Sequence, residues 1–266
     1  MKVTVLSLFP SILRGFFESS IMAKAVERGL MSYELIDIRD YATDKHRKCD
    51  DEIFGGGAGM LMLPGPLGRA LEAAGAPAKR TVYLTPSGRL LNQALARELA
   101  TESELILVCG RYEGIDQRVI DKYVTDEVSI GDYVLSSGEV AALVLVDTVY
   151  RLVEGVIKGE SLTDESFGIG SSVGQETEGA LPLLEYPQYT RPADYASMRV
   201  PEVLISGHHA NIARWRLRES IRKTLAYRPE LLATAGLPEE VRRLLRELVT
   251  EGGMHEPDPE NPGRTD

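Results

Sequence analysis

The sequence predicts an α/β fold on a mainly parallel sheet, followed by a small helical domain. Three observations carry this reading. Short apolar strands alternate with helical stretches from residue 2 to residue 153, the pattern of a parallel sheet with crossover helices. The run LILVC at 105–109 is continuously apolar, as a strand buried on both faces must be. A stretch rich in Gly, Ser and acids at 160–181 then interrupts the pattern and reads as a linker.

Taken in order, residues 2–8 (KVTVLSL) read as the first strand, and Phe9-Pro10 opens a helix. Residues 20–28 continue helically and stop at Gly29, a C′ glycine. Residues 33–38 (YELIDI) form a strand. Residues 41–63 are a long connection that holds a charged cluster and then Gly55-Gly56-Gly57-Ala58-Gly59; connections of this length are usually functional. A helix at 66–74, a strand at 80–85, a turn at Pro86-Ser87-Gly88 and a helix at 92–100 follow. The strand 105–109 runs straight into Gly110-Arg111-Tyr112-Glu113-Gly114. A short helix, a strand at 124–130, a loop at 131–138 and a strongly apolar helix at 139–153 complete the predicted domain of residues 1–159.

Residues 160–185 form the linker, and 186–250 a helical domain with helices at 208–226 and 238–250, the second with Pro238 at N1. The polar, Pro-rich residues 251–266 read as a disordered tail.

Composition narrows the function classes. Two cysteines, Cys49 and Cys109, make no disulfide framework and no C-x-x-C pair, and no N-terminal signal pattern is present, so a reducing cytoplasm is expected. No apolar run approaches the ~20 residues of a membrane helix. A formal net charge of −10 argues against nucleic-acid binding only on average. Residues 191–228 carry eight basic against three acidic residues, a local net of +5, whereas 160–185 carry six acids and no Lys or Arg. Such a separation matters more to binding than the sum.

Ligands in α/β folds gather at the carboxyl ends of strands. The loops at 83–88, 110–114 and 130–138 occupy those ends. Arg111, Tyr112 and Glu113 between two glycines exceed what a structural turn needs. The 130–138 loop offers backbone groups to an adenine edge and apolar walls in Tyr133, Val134 and Leu135. Its bland alternative is a helix start capped by Ser136 or Ser137. The loop GGGAG is neither a dinucleotide fingerprint nor a P-loop, since Met60 and Met62 fall where a third glycine is needed and no Lys-Ser/Thr follows. It suits a flat ligand resting on backbone, or a plain flexible turn.

The cluster Lys45, His46, Arg47 and Lys48 is either a solvated surface or a phosphate contact. Asp147 and Arg151, four apart, are the only charges between Val140 and Val153 and read equally as a structural pair or as functional groups. The apolar helix carrying them is suited to pack against another subunit. Arg214, Arg218 and Arg222 recur every four residues as a basic ridge that an external anion would relieve. Trp215 is a base-stacking candidate or a core anchor. His208-His209 has no matching ligands for zinc, and Cys109 reads as core.

These motifs, in this order, resemble the bacterial tRNA (guanine-N1)-methyltransferases, the TrmD type of the SPOUT superfamily. The matching stretches are SLFP (7–10), CDDEIFGGGAGM (49–60), LILVCGRYEGID (105–116), SIGDYVLSSGE (129–139), YPQYTRP (186–192) and VLISGHHANIARWR (203–216). Together they span roughly residues 1–248.

The resemblance implies a SPOUT α/β domain with a C-terminal trefoil knot and a homodimer with shared active sites. It implies methyl transfer from S-adenosyl-L-methionine to N1 of the guanine just 3′ of the tRNA anticodon, with the anticodon stem-loop as partner. It places the cofactor on Tyr83, Leu84, Thr85, Pro86, Gly110, Tyr112, Glu113, Ile130, Gly131, Asp132, Tyr133, Val134, Leu135 and Gly138. The tRNA falls to His46, Arg47, Asp50, Gly57, Gly59, Arg214 and Arg218, and Arg151 stands beside the reacting guanine.

The family's general base is an Asp before Ser-Phe in the linker. Here the stretch reads Asp164-Glu165-Ser166-Phe167, so Glu165 holds the register with Asp164 beside it, and either carboxylate can serve. The linker is also lengthened after Phe167, and Ser137 replaces a usual glycine. No protein metal site is implied, and a role for Mg2+ stays open. Two other classes remain: an RNA-binding module that kept the fold without the base, and a generic nucleotide-binding enzyme.

Overall fold

A computed structural model describes residues 1–158, 165–168, 181–233 and 236–252. Asp164, most of the expected linker and the expected tail from 253 onward lie outside the described residues. The chain divides into two compact units, Met1–Ile157 and Lys158–Asp266.

In the first unit, five strands make one parallel sheet in the order β2-β1-β6-β5-β7. They are β1 (Lys2–Ser7), β2 (Ser32–Asp37), β5 (Arg80–Leu90), β6 (Glu104–Cys109) and β7 (Asp126–Ser129). Helices α1 (Ser11–Phe17), α2 (Ser20–Glu27), α3 (Pro64–Ala74), α4 (Gln93–Ala100), α5 (Gln117–Tyr123) and α6 (Gly138–Tyr150) cover it. Strand β6 lies at the centre, and its side chains divide by parity, as the two-residue period requires. Leu105, Leu107 and Cys109 enter one core with Leu13, Leu95, Leu99 and Leu145, from α1, α4 and α6. Ile106 and Val108 enter the other with Leu67, Leu71, Val119 and Tyr123, from α3 and α5. An unbroken apolar run is the consequence of two buried faces.

Two local features depart from expectation. Within the long connection, β3 (Asp50–Glu52) pairs antiparallel with β4 (Met60–Met62), so residues 53–59 form a hairpin tip. Alternation over three residues is too short to register as a strand in the sequence. Residues 85–88 do not end β5 either. Leu84 and Arg89 both pair with Val128, so Thr85 to Gly88 bulge out of a strand that resumes beyond them. A Cβ on Gly88 would lie 2.4 Å from the backbone of Val128, which is why the bulge closes on glycine.

Arg80 fastens the β5–β7 edge. Its Nε and Nη2 donate to the two carboxylate oxygens of Asp126 at 2.9 and 2.7 Å, and Nη2 also reaches Glu98 at 2.6 Å. A two-pronged guanidinium–carboxylate pair of this kind is geometrically specific as well as strong.

The second unit contains the two-stranded ribbon β8 (Asp194–Tyr195) and β9 (Met198–Arg199). Three helices follow: α7 (Glu202–Ile205), α8 (His209–Tyr227) and α9 (Glu239–Gly252). Ile221 and Leu225 pack on Val241, Leu244, Leu245 and Leu248, with Leu183 fully buried among them. Pro238 precedes α9 and its carbonyl accepts from Arg242 N, so it caps the helix and does not occupy N1.

The Arg80–Asp126 pair yields a pH-dependent prediction. Hydrogen bonding from Arg80 holds the Asp126 carboxyl below its ordinary range. Its stabilisation is therefore present above the unfolded carboxylate pKa of about 4 and is lost as pH falls through the lower folded value. Asp126→Asn should lower the melting temperature at neutral pH, and the gap to wild type should close as the pH drops below about 4. Thermal melts from pH 2 to 8 measure this; a gap that persists at the acid end refutes it.

Candidate active site

Where the β5 bulge meets the carboxyl ends of β6 and β7 lies a cavity of about 220 Å3. Residues 83–86, 110–114, 128–131 and 133–138 line it, closed by Ala141. The structure thus brings together Tyr83, Leu84, Thr85, Pro86, Gly110, Tyr112, Glu113, Ile130, Gly131, Tyr133, Val134, Leu135 and Gly138. Asp132 is exposed and does not line it.

Close backbone approach makes the cavity. Gly138 N donates to Gly110 O at 2.9 Å, and a Cβ on Gly138 would sit 2.7 Å from Gly110 N and 2.8 Å from Cys109 Cα. The start of α6 can pass the end of β6 only without a side chain. Ser137 takes the N-cap position, but makes no side-chain cap hydrogen bond. A merely capped helix start therefore does not explain this loop. Its apolar side chains instead stand open, with Val134 84% and Tyr133 54% exposed beside the cavity. Exposed apolar walls next to convergent backbone groups suit a ligand with a flat heterocycle.

The 110–114 turn is strained. Tyr112 has φ +58, in the left-handed region that a bulky residue rarely enters. Its hydroxyl reaches Asp50 Oδ1 at 3.4 Å, and burial followed by Asp50 pushes its phenol up. Burial also raises Tyr83. The hairpin β3–β4 is bonded to the same turn: Glu113 N donates to Met60 O and Met62 N to Gly114 O, each at 3.0 Å. Gly59 has φ +91, and a Cβ there would strike Glu113 at 2.5 Å. Gly57 lies at the hairpin tip with φ +131, beside Phe54, which is 98% exposed.

A second groove adjoins Tyr112. It is lined by Phe9, Arg39, His46, Arg47 and Asp50, among others, so the charged cluster faces a concave surface next to the cavity.

Arg151 is half-buried at the C-cap of α6, and Asp147 one turn earlier is exposed. Burial pushes the adjacent Tyr150 phenol up, with Asp147 adding to that shift and Arg151 opposing it.

In the second unit, residues 165–168 form a turn closed by Gly168 N to Glu165 O at 3.2 Å. Phe167 N donates to Leu183 O at 2.9 Å and Glu185 N to Ser166 Oγ at 3.0 Å, which pins the turn carrying Glu165. On α8, Arg218 pairs with Glu251 and Arg222 with Glu219, so two members of the basic ridge are compensated within the chain. Arg214 is exposed and has no ion pair among the described residues. Trp215 is half-buried against Tyr189, with ring centroids 6.4 Å apart.

Sequence reasoning missed one group. Glu139, at the start of α6, is fully buried, and its Oε1 accepts from Ser7 Oγ at 2.6 Å. Its Oε2 lies 3.3 Å from Arg111 Nε, and the Arg111 guanidinium rests on the Phe9 ring at 4.5 Å. An acid at the first turn of a strongly apolar helix is the available signal. It was absorbed into the reading of a helix N-terminus, where acids are ordinary. Among the described residues, no group of three His, Cys, Asp or Glu side chains is placed to hold a metal ion.

Comparison with known proteins agrees with this architecture. The family described as tRNA (Guanine-1)-methyltransferase TrmD matches residues 1–234. A tRNA (guanine-N(1)-)-methyltransferase of Treponema denticola is 56% identical over 255 residues, 94% of this chain and 100% of that protein. One from Treponema pallidum is 55% identical over 259 residues, covering 96% and 99%. One from Borreliella burgdorferi is 54% identical over 231 residues, covering 87% and 92%. With a five-stranded parallel sheet, a glycine-lined cavity at its strand ends and this degree of identity along nearly its whole length, the chain belongs to the TrmD family of tRNA (guanine-1)-methyltransferases.

Proposed function

We propose that the chain transfers a methyl group from S-adenosyl-L-methionine to N1 of the guanine just 3′ of the anticodon in tRNA. The single observation that carries this is the cavity where the β5 bulge and the loops after β6 and β7 converge, in a chain of this family. Its apolar walls at Val134 and Leu135 and its backbone-lined floor at Gly110 and Gly138 fit an adenosine moiety. When bound, S-adenosyl-L-methionine supplies the methyl group on a sulfonium. The fourteen predicted positions, Asp132 included, are the proposed cofactor set, and a trefoil knot toward the C-terminal end of the first domain is part of the same proposal.

The residues' work is acid–base and positional. Guanine N1 carries a proton and is a poor nucleophile until it leaves. Glu165 or Asp164 accepts that proton, from a contact of about 3 Å. The Arg151 guanidinium stabilises the negative charge that develops at O6 as N1 loses its proton. The cavity holds the methyl group in line with N1, so most of the remaining acceleration is orientation. The target base leaves its loop stack to reach the cavity.

The tRNA anticodon stem-loop is held by His46, Arg47, Asp50, Gly57 and Gly59 on the first unit, and by Arg214 and Arg218 on the second. The groove of charged residues beside Tyr112 and the exposed basic face of α8 support this. The enzyme acts as a homodimer in the cytoplasm. The exposed Val140 and Val144 on α6, 48% and 42% accessible, support a subunit contact there.

Labelled S-adenosyl-L-methionine and unmodified tRNA should yield 1-methylguanosine beside the anticodon; a methyl group on another atom or nucleoside rejects the assignment. In single-turnover assays, Asp164→Ala or Glu165→Ala should slow transfer by about 100-fold. If neither does, the assignment of the base fails.

Arg214→Ala should weaken tRNA binding and lower its salt slope by about one, with cofactor affinity unchanged. Arg218→Ala should do less, because its partner Glu251 already neutralises it. An equal loss of cofactor affinity marks the ridge as structural. Val144→Glu should convert the dimer to monomer in sedimentation, and an unchanged dimer places the contact elsewhere.

A further inference from the structure

We infer that Glu139 is a positioning residue for the cofactor cavity, acting through Arg111. The inference rests on the cavity being the S-adenosyl-L-methionine site.

Glu139 is fully buried and Arg111 is half-buried with its Nε enclosed, and an ion pair taken this far from water is a poor way to stabilise a fold. An apolar pair of the same volume would serve stability as well or better. What the charges do supply is a geometric link among three segments. Glu139 Oε1 accepts from Ser7 Oγ at 2.6 Å, and Ser7 Oγ accepts from Phe9 N at 2.7 Å, which ties in the end of β1. Glu139 Oε2 faces Arg111 Nε at 3.3 Å, which ties in the turn after β6. Glu139 itself follows Gly138, whose N–H is bonded to Gly110 O, at the start of α6.

Two of these three segments frame the cavity. Arg111 lines it within the 110–114 turn, and Gly138 closes the 130–138 loop. Arg111 is held on its other side by the Phe9 ring at 4.5 Å, and Phe9 is placed by the Ser7 hydrogen bond. The Arg111 side chain is thus clamped between a carboxylate and an aromatic face that depend on the same serine. Glu139 Oε2 and Arg111 Nε are both buried, and neither completes a hydrogen bond. Their attraction adds a side-chain hold to the backbone hydrogen bonds on the strained turn that carries Tyr112 at φ +58. The positive end of α6 adds to the stability of the carboxylate at this position.

The test is calorimetric titration of the purified full chain with S-adenosyl-L-methionine, with a thermal melt of each protein. Glu139→Gln keeps the shape and the Ser7 contact but removes the charge. It should weaken cofactor binding by about tenfold, with little change in melting temperature. Arg111→Gln should lose a similar factor. The double variant should lose about tenfold, not a hundredfold, because both substitutions break one link.

Glu139→Asp, which retains the charge, should bind more tightly than Glu139→Gln. Ser7→Ala leaves both charges in place and should lose about two- to threefold, which decides the matter if Glu139→Gln does not fold. Wild-type affinity in Glu139→Gln overturns the inference. So do losses that multiply in the double variant, or a fall in melting temperature without loss of affinity. A wild-type chain that does not bind S-adenosyl-L-methionine overturns the cavity assignment itself, and the inference with it.

Discussion

The crossing of two backbones, at Gly110 and Gly138, is the constraint on which the site depends. The chain leaves β7 at one edge of the sheet and must return to the end of the central strand β6 before α6 begins. It does so through a hydrogen bond of 2.9 Å, at a separation that admits no side chain. That return closes the loop 130–138 over the β5 bulge and the end of β6. Without it three separate strand-end loops would open to solvent, and no cavity would form. The bulge at Thr85 to Gly88 serves the same end, because it lifts the third wall out of the sheet while β5 still pairs with β7.

Around this crossing the polar groups are arranged in two tiers. In the inner one Ser7 and Glu139 are buried, and Arg111 beside them lines the cavity. The outer one runs from Tyr112 and Asp50 along the charged groove to His46 and Arg47. Tyr112 belongs to both, since it lines the cavity and the groove. A substrate on the groove and a cofactor in the cavity would therefore share one strained residue. This gives a physical route by which each could sense the other, in line with the general placement of backbone strain at functional sites.

Charge is handled by separation. A chain of net charge −10 keeps locally basic surfaces, and α8 is one of them. Its arginines are not equivalent: Arg218 and Arg222 are neutralised by Glu251 and Glu219, while Arg214 is left exposed. Intramolecular pairing of this kind relieves the like-charge repulsion on the helix and narrows the region available to an external anion.

Much was legible in the residues themselves. The five sheet strands and their helices follow from apolar periodicity, which reports burial directly, and the cavity-lining loops follow from their place after apolar strands. Family membership was visible in long motifs matching in order and spacing. Other features needed three dimensions. The β3–β4 hairpin is held by contacts to the 110–114 turn, far away in sequence. The pairing of Ser7 with Glu139 spans 132 positions, and the partner of Arg218 lies on another helix.

The sequence alone thus determined which segments are buried and which strand ends carry chemistry, because both are local consequences of side-chain polarity. Tertiary structure alone decided which buried charges meet and where a backbone may pass another. Those are questions of distance between segments that no local pattern encodes.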